Sequence, residues 1–344
     1  MSADTAVPSG KPSGTASGKL AGTPPDTPDA RPHGPWVDLH AHPGQCYFGA
    51  THVFEAAAAV RAAGLAASSF STVGDLGVLG FESDRIVQTR EFEPGEAELG
   101  HDKQLDVLDA LAASDKVVVI EHADDILNAH NAGLTGALLT AEGADFVGTD
   151  LDRLEKAYRR GVRSITLVHY AQNLAGDIQT SPSRHGGLSS FGVEMVHEMN
   201  RLGILIDMAH ASFQTTLDAI RASTAPVVIS HSHLASPGAN HPRLLSADHA
   251  RVVAETGGLV GAWPSGVVNE TLDDFADEIC RLIDLVSVRN VAIGTDLDAN
   301  YKPVLTHHGQ YMDVDRLLAV RGLDTAERDA VLGGNVVELM RKVL

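Results

Sequence analysis

The sequence predicts an α/β protein of the (β/α)8 TIM barrel class, with a metal site at the C-terminal face of the strands. Three observations carry this expectation. Eight short apolar, often β-branched runs alternate with longer amphipathic stretches, the pattern of parallel βα units. No glycine-rich phosphate loop follows the first run, where an open dinucleotide-binding sheet would need one. Ionisable residues gather at the C-terminal ends of the runs, the face on which barrel active sites are built.

The first four strand candidates are WVDLHAH (36–42), AASSFSTV (66–73), LTGALLTAE (134–142) and RSITLVH (163–169). The other four are ILIDMAH (204–210), PVVIS (226–230), GLVGAW (258–263) and VAIGTDLD (291–298). A ninth run, KVVVI (116–120), reads as an excursion before the third strand. Leu151–Arg160 places Leu151, Leu154 and Tyr158 on one helical face, and Gly161 stops it. Ser189 caps a helix that closes on Gly203, and Ser246 caps another that runs to Thr256. The longest connection, Tyr170–Gly187, follows a barrel strand, a place where long loops are usually functional.

Residues 1–34 are rich in Pro, Gly, Ser, Thr and Ala and read as a disordered tail ahead of a hydrolase barrel at 35–344. The net charge of −19 lacks the basic face of a nucleic-acid binder. Cys46 and Cys280 form no disulfide framework and read as buried small hydrophobes in a reducing compartment. No secretory h-region, membrane-length apolar run or lipid-anchor tail is found, so a cytoplasmic protein without membrane attachment is expected. Self-association into a homo-oligomer is left open.

The chemistry lies at the strand ends. His40 and His42, two apart on the first strand, share a face and can chelate one ion. His169, His210 and His231 stand at or just past the ends of the fourth, fifth and sixth strands. Each alone is more often a satisfied buried histidine; together, histidines at four strand ends point to metal. Glu142 ends the third strand after an apolar run, where a carboxylate is costly unless paired or metal-bound. No lysine ends a strand, so Glu142 is the best candidate to bridge two metal ions roughly 3.5–4 Å apart. Asp296 lies where a proton shuttle would be useful, and Asp298 is read as sharing its strand face. Trp263 is read as barrel packing rather than pocket lining.

Several ordered segments resemble the membrane (renal-type) dipeptidase family, zinc peptidases of the amidohydrolase superfamily. They are GALLTAEGAD (136–145), RRGVRSITLVHYAQN (159–173), GLSSFGVEMVHEMNRLGILIDMAHAS (187–212), APVVISHSH (225–233), GTDLD (294–298) and LGGNVVELM (332–340). The 21 residues between His210 and His231 also suit that family. The resemblance implies two zinc ions. His40, His42 and Glu142 would hold one, and Glu142, His210 and His231 the other. It further implies that His169 contacts the substrate carbonyl, that Arg243 holds the substrate carboxylate, and that Asp296 moves the proton. The implied activity is hydrolysis of a dipeptide by a hydroxide held between the zincs. The alternatives are an amidase or deaminase acting on another amide-like small molecule, and a non-catalytic scaffold.

The chain departs from the family at four places. Position 42 is His where Asp is usual, and Leu244 follows Arg243 where Asn is usual. Ala299 follows GTDLD where Gly is common. His233 replaces a small polar residue and rivals His231 as a ligand.

Overall fold

The computed structural model describes Pro32 and residues 34–83, 85–238 and 241–344. The 1–34 tail therefore lies outside the described residues, apart from Pro32 and Gly34. Eight parallel strands form the barrel. They are β1 (Val37–Asp38), β2 (Ala67–Val73), β3 (Thr135–Glu142), β4 (Val162–Thr166), β5 (Leu205–Asp207), β6 (Val227–Leu234), β7 (Val260–Ala262) and β8 (Val291–Ile293). They neighbour one another in chain order from β1 to β8. The ring closes where Leu39 N–H donates to Ile293 O at 2.9 Å and Asp296 N–H donates to His40 O at 2.8 Å. His42 N–H adds a third bond, to Leu297 O at 2.9 Å.

The helices stop and start where their chemistry directs. Ser189 and Ser246 each accept a backbone N–H three residues on, opening helices Ser190–Leu202 and Ala247–Glu255. The fourth-unit helix spans Asp152–Arg159, and Gly161 follows with a positive φ of 91°. Strands and helices meet over a continuous core that includes Phe70, Leu139, Ile165, Val196, Ile229 and Phe275. Every residue of β2 and β3 is buried, as expected for a parallel sheet covered on both faces.

Five expectations need correction. The strand at 36–42 ends at Asp38, so His40 and His42 lie beyond it, in the segment that closes the ring onto β8. The strand at 291–298 ends at Ile293. There Gly294 passes so close to β6 that a Cβ would come within 2.0 Å of Ser230 O, and Asp296 and Asp298 follow with positive φ. Asp298 therefore does not share a strand face with Asp296; its carboxylate accepts Gly44 N–H at 2.7 Å. Strand β6 runs past Ser230 to Leu234, with an irregularity opposite β7 between Ile229 and Ser232. Finally, Cys46 is buried but Cys280 is only half-buried; both are free thiols.

The ninth run forms a short strand, Val117–Val119, beside the lower half of β3, outside the barrel path. A β-hairpin had no counterpart among the expectations. Leu79–Glu82 and Arg85–Gln88 pair as an antiparallel hairpin in the β2 connection. No described helix is long and apolar enough to cross a membrane.

Candidate metal centre

Glu142, the last residue of β3, is the hub of the site. Its side chain is 3% exposed, and five imidazoles surround it. His210 Nε2 lies 3.0 Å from Oε1, His40 Nε2 3.4 Å and His231 Nε2 3.6 Å. On the other oxygen, Oε2, His42 Nε2 lies at 3.2 Å and His169 Nε2 at 3.4 Å. Asp296 joins from the β8 side, with Oδ1 3.4 Å from His42 Nε2. The structure thus brings together all five predicted metal ligands, His169 and Asp296. It excludes His233, whose Nδ1 bonds Leu234 O and whose Nε2 sits 3.5 Å from Glu278. His233 lies two residues farther along β6, where its neighbour is Glu278 and not Glu142.

Buried hydrogen bonds fix which nitrogens face the centre. Ser230 Oγ donates to Asp207 at 2.6 Å, so it can only accept from His231 Nδ1, at 3.0 Å. His42 Nδ1 lies 3.3 Å from the Ser71 carbonyl, which also only accepts. Both rings therefore carry a proton on Nδ1 and turn Nε2 inward, the orientation a metal ligand requires. Asp207 also takes the N–H groups of Ala209 and Ser230, tying β5 to β6 just before His210 and His231. Asp38 plays the matching part at the ring closure, accepting Thr295 N–H and His308 Nε2.

These residues fit a cation. Among the described residues, the buried Nε2 atoms of His40 and His42 find no hydrogen-bond partner. His210 Nε2 and His231 Nε2 are 3.1 Å apart, while nitrogens sharing a tetrahedral zinc would be separated by roughly 3.3 Å. Two groups drawn from the cluster hold their donor atoms close enough for an ion: His40, His42, Glu142 and Asp296, and Glu142, His169 and His210. The electrostatics agree. Burial opposes charge on Glu142, but His169 and His40 hold its carboxyl well below the usual range. Burial likewise opposes a proton on His42, yet Asp296 and Glu142 raise its pKa to about 10. Burial drives His210 and His231 well below the ordinary value. Carboxylates in this centre demand positive charge, and two of its imidazoles refuse to carry it as protons.

Glu142, His169, His210, His231 and Asp296 line a cavity of 910 Å³ that opens above the barrel. Two groups around it, Asp75 and Gln179, escaped the sequence reading, and a third, Trp263, was read as packing. Asp75, just past β2, accepts His169 Nδ1–H at 2.7 Å and the N–H groups of Tyr170 and Ala171. Trp263 is not mere packing: it lines the cavity, and its Nε1–H donates to Asp296 Oδ2 at 3.3 Å. Gln179 accepts from Arg243 Nη1 at 2.6 Å. Arg243 itself is 1% exposed, and among the described residues its Nε and Nη2 lack hydrogen-bond partners. Its neighbours Tyr170, Pro242 and Trp263 line the cavity.

Residues 96–344 match the family model described as membrane dipeptidase (peptidase family M19). The chain belongs to the membrane dipeptidase family. Relatives within this family's naming include dipeptidase tcpJ of Claviceps purpurea, 30% identical over 70% of this chain and 59% of that protein. Dipeptidase verJ of Clonostachys rogersoniana is 30% identical over 70% of this chain and 64% of its own length. The chain thus spans less than two thirds of the curated relatives it matches. Its fold resembles a metallo peptidase from Rhodobacter sphaeroides liganded with a phosphinate mimic of L-Ala-D-Ala. The TM-score is 0.76 at 19% identity, over 90% of this chain and 99% of that one. An amidohydrolase from Pseudomonas aeruginosa gives a TM-score of 0.74 at 24% identity, over 90% and 96%. The membrane dipeptidase match begins after His40, His42, Asp75 and the hairpin, whereas the structural likeness covers most of the barrel.

Proposed function

We propose that the protein is a metal-dependent dipeptidase that hydrolyses the amide of a short peptide with a free C-terminal carboxylate. The observation that carries this reading is the buried Glu142 cluster with a partner-seeking guanidinium, Arg243, beside the same cavity. Two zinc ions fit the donor set: His40, His42 and Glu142 for one, and Glu142, His210 and His231 for the other. Bound there, they supply Lewis acidity and a nucleophile from water at neutral pH.

The remaining work falls to the chain. Arg243 Nε and Nη2 form a fork that pairs with a carboxylate. This end-group recognition favours a free dipeptide over an amide lacking a carboxylate. His169 turns Nε2 toward the cluster, because Asp75 holds Nδ1. Burial opposes its charge, but Asp75 and Glu142 raise its pKa to about 9, so it can donate to the developing oxyanion. Asp296, oriented by Trp263, takes the proton as the water oxygen bonds to the carbonyl carbon. It passes that proton to the amine nitrogen as the C–N bond breaks.

A panel of dipeptides and their C-terminal amides, assayed with and without added zinc, tests the reading. Zinc-dependent turnover of the free acids, with little of the amides, is expected. Equal turnover of both would replace the dipeptidase by an amidase.

A further inference from the structure

The cavity is larger than two small residues need. At 910 Å³ it lies near the top of the roughly 300–1,000 Å³ typical of small-molecule sites. Its outer wall carries exposed apolar side chains among polar ones such as Glu82, Arg85 and Lys302. Phe81 is 73% exposed, Tyr301 43% and Leu76 40%, and all three line the cavity. Large apolar side chains standing at a cavity mouth gain most when a ligand covers them.

Phe81 belongs to the hairpin after β2, where it lies directly across from Ile86. Those two side chains share one face of the ribbon with Leu79, and all three line the cavity. An isolated two-stranded hairpin is marginal in water, so its anchors matter. Thr89 N–H donates to Val78 O, Gln88 accepts Gln172 N–H, and Arg90 joins Gly77 O to Glu96. At the tip, Glu82 and Arg85 are cross-strand partners of opposite charge and offset one another. The wall is therefore anchored to the barrel, and over residues 79–88 its sequence carries two acidic residues and one basic one.

Topology gives that wall its place along a substrate. The hairpin follows β2 and Arg243 follows β6, four strands apart in a ring of eight. Their parent strands therefore face each other across the ring that holds the Glu142 cluster. A dipeptide with its carboxylate at Arg243 and its amide over the cluster directs its amino-terminal residue to the hairpin.

We propose that the hairpin is the specificity wall for that residue, and that the substrates are dipeptides whose first side chain is large and apolar, aromatic or branched aliphatic. This rests on the dipeptidase reading and adds its substrate class. Phe81→Ala and Ile86→Ala remove wall area without opening the core, since Phe81 is solvent-exposed and Ile86 half-buried.

The test compares kcat/KM for Phe-Ala, Leu-Ala, Ala-Ala and Glu-Ala, with both stereoisomers at the second residue. In parallel, binding is measured for phosphinate dipeptide mimics bearing benzyl or methyl on the amino side. Wild-type protein is expected to prefer Phe-Ala and Leu-Ala over the other two by about tenfold or more, the scale of apolar-pocket discrimination. Each variant should lose about tenfold on Phe-Ala and stay within about twofold on Ala-Ala. Turnover without that preference, or equal losses on all substrates, overturns the wall while the dipeptidase reading stands. If no dipeptide is cleaved, the dipeptidase reading fails and binding decides the wall. Tighter binding of the benzyl mimic, lost in Phe81→Ala, sustains an apolar subsite; equal or absent binding overturns it.

Discussion

Residues 34–95 and residues 96–344 contribute differently to one centre. The second stretch coincides with the family match and carries Glu142, His169, His210, His231, Arg243 and Asp296. The first carries His40, His42, Asp75 and the hairpin. On the proposed reading, the second stretch holds the groups that act on any peptide bond: the bridge, the proton carrier and the carboxylate fork. The first supplies two ligands of one metal position, His40 and His42, and sets the charge there, the aim of His169 and the wall that meets the substrate side chain. A single barrel can thus share its metal centre between the two stretches and place its selectivity in the first. Substitutions in the two stretches should therefore differ in kind as well as in size.

The largest effects belong to the second stretch. Glu142→Gln keeps the shape and removes the charge that five imidazoles face. Metal content by elemental analysis and turnover should fall together, turnover by at least about 10³-fold. Asp296→Asn should spare metal and lower kcat by roughly 10²–10⁴-fold, as expected for loss of a general acid–base. If the Asp296 variant loses its metal and keeps its activity per bound ion, the two carboxylates have exchanged roles and the division of labour breaks.

Asp75→Asn tests the first stretch at the point where it touches the reaction. Loss of the carboxylate frees the His169 ring, and kcat should fall by about 10–100-fold, the usual cost of losing a histidine's outer partner. Metal content should not change. A purely structural role would instead lower the melting temperature and leave kcat per folded molecule intact. Arg243→Lys, back in the second stretch, keeps charge but loses the fork. KM for dipeptides should rise about tenfold, equivalent to ~1.4 kcal/mol, while an amidated dipeptide changes little. Equal effects on both would remove Arg243 from the carboxylate position.

How much of this was legible before the structure follows the same division. Apolar runs and serine caps are local signals, and they placed all eight barrel strands and the helices at 190–202 and 247–255. The cluster was legible because buried ionisable residues at strand ends are rare and therefore informative. Asp75 was missed because one aspartate after STVG looks like any loop residue; only its contact with His169, 94 positions away, distinguishes it. The hairpin was missed although FESDRIV carries four polar residues between apolar flanks, because its strands are short and only partly buried. The strand at 291–298 was drawn too long because periodicity does not register that Gly294 must pass within contact of Ser230 O. His231 could not be separated from His233 by the residues alone, since what divides them is a long-range neighbour, Glu142 for one and Glu278 for the other.

The smallest expected effect concerns His42, where the family usually has Asp. The imidazole brings no negative charge to its metal position. A second carboxylate behind the ring could have compensated, but His42 Nδ1 meets the Ser71 carbonyl. Its two carboxylate neighbours, Glu142 and Asp296, lie on the Nε2 side and already belong to the centre. The centre therefore carries one more unit of positive charge than an Asp would leave. His42→Asp should bind the first zinc more tightly, by about tenfold for a unit charge partly screened at close range. The less positive centre should also make its water harder to ionise, moving the acidic limb of the pH–rate profile upward. His42→Asn supplies the control, because it matches the size of Asp without the charge. If zinc titration gives the Asp and Asn variants equal affinities, and their profiles at saturating zinc coincide, residue 42 acts by geometry alone. The first stretch would then tune selectivity through the hairpin and not the charge of the centre.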